Sequence, residues 1–175
     1  MFLTINLIAR GGDLLTRQID LLRDVTRLTK ADKPFAIDAW VVLPDHMHCI
    51  WTLPEGDSDY SNRVGMLKAR FSRDLRRSGH APTLAVGSVG AFGAVAGRDR
   101  IGNAKTVGAG PDLQKDEAPI WQKRFWEHHI ADEADFRAHL RYCWLNPVKH
   151  GLCDHPGEWP YSSYHRDGVG ADLGL

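Results

Sequence analysis

An excess of charge of either sign, long apolar runs and paired cysteines are all missing from this chain. Its 22 basic residues balance 22 acidic ones, for a formal net charge of zero. That weighs mildly against a nucleic-acid binder and leaves the question to where the charges sit. No apolar run approaches the ~20 residues of a membrane-spanning helix, so no membrane association is expected. The N-terminus, M-F-L-T-I-N-L-I, lacks the basic segment of a secretory signal and reads as a strand. The cysteines are three, Cys49, Cys143 and Cys153, with no C-x-x-C spacing. That argues against a disulfide frame or a zinc knuckle and fits reduced thiols in a cytoplasmic protein.

What is present suits one domain with a sizeable core: 175 residues, 43% hydrophobic and 25% charged. Residues 2–8 form a β-rich run ended by Arg10-Gly11-Gly12. Asp13 is a plausible N-cap for a helix to about Lys30, with Leu15, Ile19, Leu22 and Val25 at helical spacing. Residues 35–43 and 46–53 read as two strands joined by turn chemistry at Pro44-Asp45. Asp57 or Ser58 can cap a second helix to about Arg77, whose apolar stripe is Val64, Leu67, Phe71 and Leu75. Residues 62–77 also carry six basic side chains, Arg63, Lys68, Arg70, Arg73, Arg76 and Arg77, against a lone Asp74. They spread either a solvated face or a phosphate-contacting one.

The composition then shifts. Residues 79–119 hold 8 Gly and 8 Ala in 41 positions, with Phe92 the single aromatic, and read as a disordered insertion. Residues 120–130, I-W-Q-K-R-F-W-E-H-H-I, are strand-like. Asp132 is expected to cap a third helix, with Phe136, Leu140 and Cys143 as its buried stripe. Asn146-Pro147 should stop it, because a residue before proline is pushed out of helical geometry. An aromatic tail, W-P-Y-S-S-Y, should pack back on the domain, and residues 168–175 should fray. The domain expected is therefore residues 1–78 and 120–167, interrupted by 79–119. The order strand, helix, strand, strand, helix, strand, helix predicts an α+β, ferredoxin-like fold with a largely antiparallel sheet.

The chemistry-bearing stretch is residues 39–53, A-W-V-V-L-P-D-H-M-H-C-I-W-T-L. Alternation along a strand puts His46 and His48 on one face, about 6.6 Å apart, and Met47 and Cys49 on the other. Such a pair can close on one metal ion or can simply be polar residues on a solvated face. On the third helix Tyr142 and Asn146 are four apart and share a face. Taken singly, Tyr142 fits a core-edge residue and Asn146 a C-terminal cap.

Together, W-V-V-L-P-D-H-M-H, F-S-R of the basic helix, I-W-Q-K-R-F-W-E-H and Y-C-W-L-N-P-V-K-H-G resemble the HUH endonucleases. The resemblance is to their single-tyrosine branch, the REP-associated tyrosine transposases, and covers about three-quarters of the chain. It implies His46, His48 and Asn146 as ligands of Mg²⁺ or Mn²⁺ and Tyr142 as the nucleophile. It further implies cleavage and strand transfer of single-stranded DNA beside a hairpin, through a 5′-phosphotyrosine. Repetitive palindromic elements are the implied partner, the protein acts as monomer or homodimer, and its place is the cytoplasm, at the nucleoid. Lys68, Arg70, Arg73, Lys123 and Arg124 are candidates for phosphate contacts, and Trp126, Trp159, Tyr161 and Tyr164 for base stacking or core packing. The competing expectation is an inactive relative that binds DNA without cleaving it. The chain departs from the family pattern in three places: it opens on the first strand, which suggests a truncated start; Trp144 stands where a histidine is common; and residues 79–119 have no counterpart.

Overall fold

A computed structural model describes residues 1–79 and 119–167, so the expectations for 80–118 and 168–175 lie outside the described residues. Among the described residues, four antiparallel strands form one sheet in the order β2-β3-β1-β4: β1 (Phe2–Asn6), β2 (Ala36–Val42), β3 (His46–Thr52) and β4 (Trp126–His128). Helices α1 (Leu14–Arg17) and α2 (Ile19–Asp32) connect β1 to β2, α3 (Tyr60–Arg77) follows β3, and α4 (Glu133–Lys149) follows β4. A 3₁₀ turn at Pro156–Glu158 and a short α5 (Tyr164–Asp167) complete the tail. This is the α+β architecture expected from the sequence, with β1 and β3 central.

Alternation sorts the strands between two cores. Leu3, Ile5, Met47, Cys49 and Trp51 face one side and pack with Leu22 and Val25 of α2 and Val64, Leu67, Phe71 and Leu75 of α3. Phe2, Ile50, Ala39 and Val41 face the other side, against Cys143 and Trp144 of α4. Each fully buried large aliphatic contributes roughly 1.5–3 kcal/mol, so the two-sided burial fixes the register. His46 and His48 therefore go to the α4 side because Met47 and Cys49 go to the other.

Several boundaries differ from expectation. The first helix breaks at Gln18, and Asp13 makes no capping hydrogen bond. The N-cap of α3 is Asp59, without a side-chain capping bond, and not Asp57 or Ser58; Asp57 accepts from the Asp59 amide and pairs with Arg63 of the first turn. Residues 120–130 are not one strand: Trp121 bridges Leu7, Trp126–His128 pairs with β1, and residues 123–125 loop out between them.

The largest correction concerns Pro147, which lies inside α4 rather than ending it. An interior proline loses one backbone donor and crowds the carbonyl four residues back, at a cost of about 3 kcal/mol, but its fixed φ is itself helical, and here Asn146 and Pro147 are buried against the core. The stop comes at Gly151, at φ +65°. The Gly151 amide donates to the Val148 carbonyl and the Leu152 amide to the Pro147 carbonyl, a Schellman closure that glycine alone enters without strain. The tail packs back as expected. The Val42 amide donates to Tyr161 O and the Ser163 amide to Trp40 O, which covers the β2 edge. All three cysteines are free, and among the described residues no helix is long and apolar enough to cross a membrane.

Candidate functional site

Both histidines come off β3 facing α4, buried to 5% and 4% exposure, with rings 5.1 Å apart. Each already uses its Nδ1. The His46 Nδ1 is 2.6 Å from Asp45 Oδ1, and the His48 Nδ1 is 2.8 Å from Thr4 Oγ1. Only the Nε2 atoms remain to face a ligand, and partners on the far nitrogen are the usual means of orienting a metal-binding imidazole. Thr4 is in place because β1 pairs with β3 in the register Thr4↔His48. Asp45 is in turn held by the Gly11 amide and by Arg10.

The electrostatics favour neutral rings. Burial, assisted by His46 and His150, pulls His48 from 6.5 down to about 3. Burial also lowers His46, against the opposing pull of Asp45. A neutral imidazole offers the lone pair that a metal needs.

Asn146 reaches the same place from α4. It is 1% exposed, and its amide is close enough to His48 to favour the protonated ring. Its Oδ1 nevertheless accepts no hydrogen bond among the described residues. A buried oxygen without a partner costs about 1–3 kcal/mol, so an amide oxygen that accepts no hydrogen bond, close to His48 and with His46 beside it, fits a cation. Two imidazoles and an amide oxygen form a donor set that a divalent metal accepts.

Tyr142 lies one turn before Asn146, 39% exposed, its ring 5.1 Å from that of His48. The spacing read from the sequence thus brings His46, His48, Tyr142 and Asn146 together within one chain. Two further side chains join the site. His150 packs 5.1 Å from the His46 ring, and Lys149 Nζ sits 4.7 Å over the Tyr142 ring. Both fall in the K-H-G that follows the Pro147 turn: Lys149 is the last residue of α4 and His150 its C-cap, so a helix that stopped at Pro147 would place neither. Asp45 was legible as the neighbour of His46, whereas Thr4 depends on strand register. Trp144 belongs to the tail packing, with its indole N–H donating to Ser163 Oγ.

The basic candidates separate. Lys68, Arg70 and Arg73 are on α3, across the sheet from the histidines. Lys68 Nζ donates to Gln122 O at 3.0 Å, lies 5.3 Å over the Phe125 ring and is pulled by burial to about 8. Arg70 pairs with Asp32 and Arg73 with Asp74. Lys123 and Arg124 are exposed in the loop between the Trp121 bridge and β4, beside the end of β1. Trp126 is 53% exposed, Trp159 and Tyr161 are half-buried, and Tyr164 is buried.

No family model matches the chain. It is 40% identical over 166 residues to the REP-associated tyrosine transposase of Escherichia coli (strain K12), across 95% of this chain and 76% of that protein. It is 36% identical over 166 residues to a putative REP-associated tyrosine transposase of Haemophilus influenzae, across 95% and 80%. A solved REP-associated tyrosine transposase bound to a REP hairpin matches with a TM-score of 0.69 and 39% identity, over 96% of this chain and 78% of that one. With such identity sustained over nearly its whole length, the chain belongs to the REP-associated tyrosine transposase family.

Proposed function

We propose that this chain cleaves and rejoins single-stranded DNA beside a hairpin, with Tyr142 as nucleophile and Mg²⁺ or Mn²⁺ held by His46, His48 and Asn146. The observation that carries the reading is the buried Asn146 Oδ1, without a hydrogen-bond donor among the described residues, beside two imidazoles whose Nδ1 atoms are already engaged by Thr4 and Asp45. The bound metal would supply Lewis-acid polarisation of the scissile phosphodiester.

The protein's own share begins with position. The Tyr142 ring is fixed edge-on to His48 and Phe2, with its outer part in solvent where a strand can reach it. Its oxygen forms the new bond to phosphorus, the bond to the 3′-oxygen breaks, and the departing strand takes up a proton to leave as a 3′-hydroxyl. The phenolic proton passes to solvent. Lys149 keeps a cation over the ring as it takes on negative charge. The resulting 5′-phosphotyrosine retains a phosphoester bond, so another strand's 3′-hydroxyl can attack it and restore the tyrosine. No nucleotide cofactor is required.

The solved relative holds a REP hairpin, and hairpin DNA of repetitive palindromic elements is the substrate proposed here. Lys123 and Arg124 contact its phosphates from the rim; Lys68, Arg70 and Arg73 are further candidates on the far face. The site residues come from one chain, which supports action as a monomer, with a homodimer as the alternative. The test is incubation with a labelled hairpin oligonucleotide carrying a single-stranded flank, plus Mn²⁺. A covalent protein–DNA band that vanishes in Tyr142→Phe is expected. Tight binding without that band would instead indicate the inactive DNA-binding alternative. Cleavage that persists in Tyr142→Phe would overturn the tyrosine mechanism.

A further inference from the structure

A second cluster of ligand-type side chains lies on the same side of the sheet. His128 ends β4, while Asp135 and His139 occupy the first two turns of α4. His128 Nε2 is 2.8 Å from Asp135 Oδ2, and His139 Nδ1 is 2.9 Å from both Asp135 Oδ1 and its backbone oxygen. The two imidazoles stack 4.4 Å apart at 17°, so their edges converge on one carboxylate. A ligand atom from each of the three lies within 4.8 Å of the others. The residues are only partly buried, so an ion can reach them from solvent.

We propose that His128, Asp135 and His139 bind a borderline transition metal of the Zn²⁺ class and so tie β4 to the helix that carries the nucleophile. Two imidazoles and one carboxylate suit Zn²⁺, Co²⁺ or Ni²⁺ and leave an open coordination position; Mg²⁺ and Ca²⁺ prefer oxygen. On binding, each imidazole presents a lone pair where it now contacts Asp135. Any proton there moves to the other ring nitrogen or to solvent. The site is separate from the His46–His48 pair: the Phe2 ring packs 4.7 Å from His139 and 5.7 Å from His48. Two ions bridging one phosphate stand about 3.5–4 Å apart, which an intervening aromatic ring forbids. The role is positional. β4 is a three-residue edge strand, and an ion here anchors it to α4 one turn ahead of Tyr142.

The test loads chelator-treated full-length protein with Zn²⁺, removes free metal by gel filtration and measures bound Zn²⁺ per chain and Tm. His128→Gln/His139→Gln is expected to lose one Zn²⁺ per chain and the Zn²⁺-induced rise in Tm, while Mn²⁺ binding by EPR is unchanged. His46→Gln/His48→Gln should show the reverse. If the first double variant does not fold, His128→Gln alone, at the partly exposed end of β4, takes the same readouts. Unchanged Zn²⁺ content and Tm response in the His128 variants overturn the proposal, as does loss of all Zn²⁺ from His46→Gln/His48→Gln. The Mn²⁺ signal separates failure here from failure of the nuclease reading.

Discussion

His48 is a titratable side chain held uncharged by burial, with His46 and His150 adding to the effect. The consequence for stability runs opposite to that of a histidine that gains an acidic partner. The folded value, about 3, is below the unfolded 6.5, so between them the unfolded chain binds the extra proton. Stability is therefore fully present above pH 6.5 and lost as pH falls, by up to about 1.4 kcal/mol per unit. Urea denaturation of the metal-free protein across this range should show the slope, and His48→Gln should flatten it. A flat wild-type profile would mean that His48 accepts its proton within the fold. Thr4→Val removes the contact that orients His48. It should weaken Mn²⁺ binding at least 10-fold by EPR titration, with a stability cost of about 1 kcal/mol. At this scale the sequence showed the two histidines on one face but not what orients them, because Thr4 and His48 meet only across a strand register.

At the scale of the element, α4 holds most of what matters: Tyr142, Asn146, Lys149 and the junction with β4. Its faces were legible, since Tyr142 and Asn146 share a side and Cys143 is buried. Its end was not. Asn-Pro carries a strong local stop signal, yet the flanking turn is held by Asn146 and Pro147 packed to near-complete burial. Tertiary burial outweighs one missing donor, and the helix runs on to a closure at Gly151. Gly151→Ala should destabilise the protein by about 1 kcal/mol, from backbone strain alone, since an added Cβ would meet nothing within 4 Å. A thermal or urea comparison checks this. No change would mean that the turn relaxes out of the left-handed region.

At the scale of the molecule, the sheet divides the charges as well as the cores. Arg63, which reads as one of a basic helix's surface cations, is 2% exposed and bonded to Asp57 and the carbonyls of Lys33, Pro34 and Asp59. It is a clamp on the start of β2. Lys68 and Arg70 are engaged inside the chain too, with Gln122 and Asp32. Lys123 and Arg124 stand on the rim beside the β1 end that pairs with His46. If they meet phosphates, Lys123→Ala and Arg124→Ala should each reduce the salt slope of hairpin binding by about 0.7–0.9. Fluorescence anisotropy at several salt concentrations measures it, and an unchanged slope removes them from the contact surface. Arg70→Ala releases Asp32, so a lowered Tm with an unchanged salt slope would remove Arg70 from the contact surface.

By itself the sequence determined the parts of this protein that depend on local period and residue type. Alternation put His46 and His48 on one face, helical spacing put Tyr142 and Asn146 on another, and their joint pattern pointed to the family to which the chain belongs. The tertiary structure alone decided which groups meet. Strand register brought Thr4 to His48, packing carried α4 past Pro147, and the β4–α4 junction gathered His128, Asp135 and His139. The reason is one of range: a side chain's direction follows from its neighbours along the chain, whereas its partners follow from burial that only the assembled sheet and helices create.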